Sequence, residues 1–200
     1  MVNNPTNIIL ASGSKIRQQV LLNAGVLFEV ETSNVDEGFI KAAASKKPVE
    51  DIAMALAIAK ARAVSALQSD ALVIGADQIL ECGGLLFDKP TGRAGAKRHL
   101  KTMRGKTHRL VTSACVVRRS DVVWQFTDEV YLTMRPLSDV FIERYLDLVG
   151  ESALLSVGAY QLENLGSQLF TSVKGDFFSV LGLPLLPLLE FLRKQRVLIT

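Results

Sequence analysis

The first apolar run, Asn7-Ile8-Ile9-Leu10-Ala11, is short and continuous and leads into Ser12-Gly13-Ser14, which predicts a buried strand turning into a helix over residues 15–23. Residues 27–31 alternate apolar and polar like a half-buried strand and run into the polar stretch Asn34-Val35-Asp36-Glu37-Gly38. Pro48 opens an Ala-rich helical segment reaching residue 68, with Ile52, Leu56, Ala59, Ala63 and Leu67 along one face. Lys60 and Arg62 fall outside that stripe and read, taken alone, as solvated helix cations. Residues 72–80 and 85–87 are β-prone runs around Gly83-Gly84, a pair that supplies the positive φ of a tight hairpin. A helix is predicted over residues 91–103. Residues 109–118 and 122–134 predict a long antiparallel ribbon joined at Arg119-Ser120-Asp121, with Thr107 and His108 securing its start. Ser138 caps a helical pattern over residues 140–148, and short strands are expected at residues 155–162 and 168–173 around the Glu163-Asn164-Leu165-Gly166 bend. Asp176 caps a short segment ending at Gly182, and Pro184 begins a last helix reaching about Lys194. No repeat or low-complexity linker intervenes, so residues 1–200 read as a single domain.

Composition narrows the class. Two hundred residues bury a substantial core without staples, and the two cysteines, Cys82 and Cys115, sit in apolar runs as small hydrophobes of a reducing, cytoplasmic setting. The opening six residues lack the basic and apolar regions of a secretory signal. The most apolar stretch, residues 181–192, is broken by Pro184, Pro187 and Glu190 and falls short of the ~20 residues that span a bilayer. A net charge of +3 and a single tryptophan offer no basic stripe or stacking platform for nucleic acid. Any anion the protein handles is met locally, by a few cations.

Candidate chemistry centres on Asp77, a carboxylate interrupting an apolar strand where aspartate desolvates badly. The hairpin carries Asp77 on one arm and delivers Lys89 just after the other, before Pro90. It is either a device for holding an acid and a cation at one mouth or a bulge followed by a solvated lysine. Strand, small-residue turn and helix at Ser12-Gly13-Ser14 form a phosphate-cradle layout: Ser14 as N-cap, free N–H groups of the first turn facing an anion, and Arg17 one turn in as a bidentate cation. An ordinary capped helix has the same pattern. Asp36 and Glu37 beside Gly38 suit either a hard-cation loop or plain solvation. His99 and His108 form no zinc-protease motif, and the chain has no Gly-x-Ser-x-Gly elbow, Walker lysine or dinucleotide-binding glycine turn. What remains is a set of acids (Asp36, Glu37, Asp77, Glu163) and cations (Arg17, Lys60, Lys89) at strand ends and turns, the requirement for metal-assisted phosphoanhydride hydrolysis.

Eight blocks in register carry a resemblance: Leu10-Ala11-Ser12-Gly13-Ser14-x-x-Arg17, Val35-Asp36-Glu37, Ala57-x-x-Lys60-Ala61, Gly75-Ala76-Asp77-Gln78, Asp88-Lys89-Pro90, Gly105-Lys106-Thr107-His108, Gly158-Ala159-Tyr160 and Gly175-Asp176-Phe177-Phe178-x-x-x-Gly182-Leu183-Pro184. In order and spacing they resemble the Maf-like nucleotide pyrophosphatases over nearly the whole chain. The resemblance implies an α/β protein with a mixed, twisted sheet flanked by helices and two lobes around a central cleft, commonly a homodimer. It implies a divalent cation, Mg2+ or Mn2+, and cleavage of a nucleoside triphosphate between its α and β phosphates. By the same resemblance Asp77 accepts a proton from the attacking water and meets the metal, and Glu37 is a metal ligand or orients one. Ser12, Ser14 and Arg17 hold the phosphate tail, and Lys60 and Lys89 offset charge on the leaving pyrophosphate. Lys15 and Ile16 stand where that family usually has proline and then arginine or an aromatic, so Ile16 removes a stacking partner for the base. Gln78 with Glu163 resembles the branch acting on 7-methyl-GTP, where a carboxylate would face a cationic guanine; members acting on dTTP and UTP tend to have glutamine in place of Glu163. Two rivals stand beside this reading. One is a house-cleaning hydrolase for inosine or xanthosine triphosphates, which shares the ITPase-like architecture but not the blocks. The other is a nucleotide-sensing regulator of cell division or septum formation without significant turnover.

Overall fold

A computed structural model describes residues 7–198; the expectation of no secretory signal rests on residues 1–6, outside that range. In chain order the elements are β1 (Ile8–Leu10), α1 (Lys15–Asn23), β2 (Glu29–Val30), α2 (Glu37–Ala43), α3 (Val49–Ser65), β3 (Leu72–Cys82), β4 (Leu85–Phe87), α4 (Gly92–Met103), β5 (Thr107–Arg118), β6 (Asp121–Met134), α5 (Asp139–Val149), β7 (Phe170–Lys174), α6 (Phe177–Val180) and α7 (Leu185–Lys194). Among the described residues seven strands form one mixed sheet in the order β2-β1-β3-β5-β6-β7, with β4 paired to β3. The expected α/β class, a mixed sheet flanked by helices, is what is found.

The chain divides into two compact units, residues 1–78, 112–128 and 182–200 in one and residues 79–111 and 129–181 in the other. In the first, β1 is buried along its length because it is parallel to a neighbour on each side: Ile9 faces Glu29 of β2, and Ile8, Ile9 and Leu10 face Leu72, Val73 and Ile74 of β3. A strand covered on both sides and both faces is apolar throughout, as its sequence is. α3 closes on this sheet through small residues. A side chain at Gly75 would place its Cβ 2.2 Å from the Ala57 carbonyl oxygen and 2.8 Å from the Ala61 Cβ, so the helix approaches β3 only because position 75 is glycine.

That docking corrects the predicted helix face. Ile52 and Leu56 are buried, but Ala63 is exposed and Leu67 lies beyond the helix, 74% exposed; the buried side runs through Ala53, Ala57, Ala61 and Val64. Lys60 is three residues after Ala57 and four before Val64 and therefore sits on the buried side, while Arg62 points to solvent as read. Alanines carry too weak an apolar signal to fix the stripe's angle, and only the contact at Gly75 does so.

In the second unit, Leu80 and Phe87 of the β3–β4 hairpin, Leu100 of α4, Ile142 and Tyr145 of α5 and Leu132 of β6 share one core. The hairpin pairs Leu80 with Phe87 and Cys82 with Leu85 across Gly83 and Gly84, both at positive φ. β7 runs antiparallel to β6 with an irregularity between Thr133 and Met134.

Three further expectations change. Residues 34–38 are not all loop: the Asp36 carboxylate accepts from the Phe39 N–H at 2.9 Å and caps α2, which begins at Glu37. Of residues 27–31 only Glu29 and Val30 are strand, both exposed. Residues 155–162 contain a 3-10 turn, Val157–Ala159, instead of a strand, since Gly158 (φ 80°) and Ala159 (φ 64°) are not extended. Tyr160 is drawn inward there by His108, whose Nε2 lies 2.8 Å from the phenol oxygen, and the Tyr145 hydroxyl donates to the Ala159 carbonyl at 3.2 Å. No described helix is long and apolar enough to cross a membrane.

Candidate active site

The first unit gathers most of the predicted residues. Because Asp77 falls on β3 where α3 has closed against Gly75, the Lys60 Nζ reaches the Asp77 Oδ1 at 2.5 Å and the Glu37 Oε1 at 2.8 Å. The Lys60 and Asp77 side chains are 12% and 10% exposed, and Glu37, at the start of α2, is 45% exposed. One ammonium thus joins two carboxylates from different elements at the edge of a buried region. Burying Asp77 without such a partner would be strongly unfavourable.

Beside it stands the first turn of α1. Ser14 occupies the N-cap position, as predicted, but its side chain makes no capping bond, and its N–H donates to the Ser12 Oγ at 3.3 Å. The first turn contains no acidic residue to offset the positive dipole end of the helix. Ser12 is buried and Ile16 half-buried. Arg17 is turned into the protein: Nη1 donates to the Ala76 carbonyl at 2.9 Å and to the Ser12 Oγ at 3.2 Å, and Nε donates to the Gly182 carbonyl at 2.7 Å. Burial pushes the Arg17 pKa down, and the nearby Asp77 and Glu37 charges push it back up.

Gln78 follows Asp77 in a strand and so projects to the opposite face, where its Nε2 donates to the Thr112 Oγ1 at 2.8 Å. Lys89 and Glu163 belong to the second unit, and both are exposed there; the Glu163 charge helps burial raise the Tyr145 pKa. The residue pattern did not announce the partners of Arg17. Gly182 is 165 positions away from it, and no local signal links the two.

Two carboxylates offering oxygen donors around a site already built to hold a cation suit a magnesium-type ion, which takes one or two protein carboxylates and keeps its remaining positions for water and phosphate. No cluster of three His, Cys, Asp or Glu residues that could hold a metal ion occurs among the described residues.

The model of one protein family, described as Maf-like protein, matches residues 7–195 and so spans every residue of this site. The chain belongs to the Maf-like family. It is 50% identical over 194 residues to a nucleoside triphosphate pyrophosphatase of Paramagnetospirillum magneticum, covering 96% of this chain and 100% of the relative. It is 48% identical to one of Nitrobacter hamburgensis over 97% of this chain and 96% of the relative. A 7-methyl-GTP pyrophosphatase of Rhizobium meliloti is 47% identical over 94% of this chain and 95% of that protein. This Maf-like chain and those relatives therefore align nearly end to end.

Proposed function

We propose that this protein is a nucleoside triphosphate pyrophosphatase, hydrolysing its substrate to a nucleoside monophosphate and pyrophosphate. The observation that carries the reading is the convergence of Glu37, Lys60 and Asp77 beside an α1 N-terminus with no anion of its own. The names of its close Maf-like relatives support it.

Asp77 accepts a proton from water as the water oxygen bonds to the α phosphorus. The bridging P–O bond breaks and its electron pair leaves on the pyrophosphate. The Lys60 ammonium holds the Asp77 carboxylate in line and offsets phosphate charge as it develops. Ser12, Ser14 and the first N–H groups of α1 bind phosphate oxygens, where helix-end donors and dipole act together. Asp77 and Glu37 are the residues that would hold a divalent cation. Such an ion, when bound, lowers the pKa of water and neutralises phosphate charge.

The test is chromatographic identification of products from wild type and Asp77→Asn with magnesium or manganese and a panel of UTP, CTP, dTTP, GTP, ITP and 7-methyl-GTP. Monophosphate plus pyrophosphate from wild type, with a loss of about 10²–10⁴-fold in the variant, is expected for removal of a general base. Folded wild type that turns over no triphosphate would overturn the proposal. 7-methyl-GTP belongs on the panel because one of the relatives bears that name.

A further inference from the structure

The structure assigns Arg17 the part of a positioning residue: with Gly182 as its seat, it fixes the peptide that presents Asp77, and it is not a ligand for phosphate. This rests on reading Asp77 as the base that activates water. A guanidinium has five N–H donors in a rigid fork. In Arg17 the Nε hydrogen goes to the Gly182 carbonyl at 2.7 Å, and Nη1 serves both the Ala76 carbonyl at 2.9 Å and the Ser12 Oγ at 3.2 Å. Only Nη2 is left to meet a ligand. A bidentate phosphate clamp needs two donors side by side, so binding phosphate in that way would require these bonds to break.

The acceptor on β3 matters most. The Ala76 carbonyl belongs to the peptide that joins Ala76 to Asp77, so the bond from Nη1 sets the plane from which the Asp77 Cα and side chain project. Lys60 grips the carboxylate from the other end at 2.5 Å. Asp77 is thereby fixed at its backbone by one cation and at its head by another.

Gly182 makes the arrangement possible. Its φ of 90° is a left-handed conformation that side-chain-bearing residues rarely adopt. A Cβ there would stand 3.2 Å from the Arg17 Nε and 3.3 Å from Nη2, against the two nitrogens that must lie over this turn. The bare glycine therefore lets the guanidinium settle on the carbonyl. Lysine cannot substitute, since one ammonium on a flexible stem does not span three acceptors in a plane.

The proposal is tested from both ends of the bond with Arg17→Lys and Gly182→Ala, each checked for folding by circular dichroism and assayed with the best triphosphate from the wild-type panel. Positioning predicts that kcat falls about tenfold or more in both variants while KM stays within about threefold, because a displaced base costs rate and not substrate affinity. A phosphate ligand predicts the reverse: Arg17→Lys raises KM about tenfold with kcat kept, and Gly182→Ala, which crowds the same guanidinium, raises KM as well with kcat kept. A rise in KM larger than the loss in kcat, in either variant, overturns the assignment. Should one variant fail to fold, the other decides on the same split. Failure of the proposed function is a separate result, seen as an inactive wild type or a fully active Asp77→Asn.

Discussion

Each unit of this protein buries a polar cluster in an otherwise apolar setting, and the two clusters are handled in opposite ways. In the first unit the cluster is ionic: Asp77 is buried and Lys60 and Arg17 are half-buried, each held by a partner of opposite charge or by backbone carbonyls. In the second, His108 and Tyr160 are bonded to each other within a cage that includes Phe170, and burial drives both toward neutrality, lowering the His108 pKa to about 4 and raising that of Tyr160. The His108 Nδ1 is buried with no hydrogen-bond partner, which a neutral imidazole tolerates and an imidazolium would not. Burial that retains charge is costly and is kept where the charge acts on a ligand or holds in place a group that does. Burial that removes charge serves packing. On the proposed function the first cluster is the place for chemistry, and the second clamps the 3-10 turn Val157–Ala159 through Tyr160, which follows it.

The comparison is broken most directly by removing one ion from the first cluster. Lys60→Met leaves Asp77 buried beside an aliphatic chain; turnover is expected to drop by about 10²-fold or more, and stability without nucleotide by about 3 kcal/mol. Turnover within about threefold of wild type would show that the ammonium is merely structural. In the second cluster the expected effect concerns pH. The His108 pKa is lowered by burial from 6.5 to about 4, so between those values the unfolded chain binds the extra proton and folding stability falls as pH falls. The loss is absent above about pH 6.5, complete near pH 4, and amounts to about 3 kcal/mol. Urea denaturation across that window should show the slope in wild type and a flatter one in His108→Gln; identical slopes would remove His108 from the account. Smallest is Tyr160→Phe, which strips the partner from the His108 Nε2 and should cost about 1–3 kcal/mol in thermal or chemical denaturation without lowering kcat. A large loss of kcat in folded Tyr160→Phe would blur the line between the two clusters.

The local grammar of the chain determined a good deal by itself. The turn and helix up to Asn23, the Gly83-Gly84 hairpin and the caps at Ser138 and Asp176 depend on contacts a few residues long, and they occur close to where the pattern puts them, as do the strand at Ile8 and the long ribbon, whose strands carry their own alternation and turn signals. Asp77 stood out for a related reason, since a carboxylate inside an apolar strand breaks a local rule. Tertiary structure alone decided the rest. The alanines of α3 do not say which side is buried until Gly75 admits the helix, and that contact turns Lys60 from a surface cation into the partner of Asp77. The apolar run at residues 155–162 looks extended until His108 draws Tyr160 inward and the chain turns at Gly158 and Ala159. Arg17 was visible as a cation near a helix start, but which way it faces depends on a carbonyl 165 residues later in the sequence. Periodicity and capping report on neighbours within a turn or two, whereas the direction of a charged side chain is set by whichever distant backbone and opposite charges the fold brings within bonding distance.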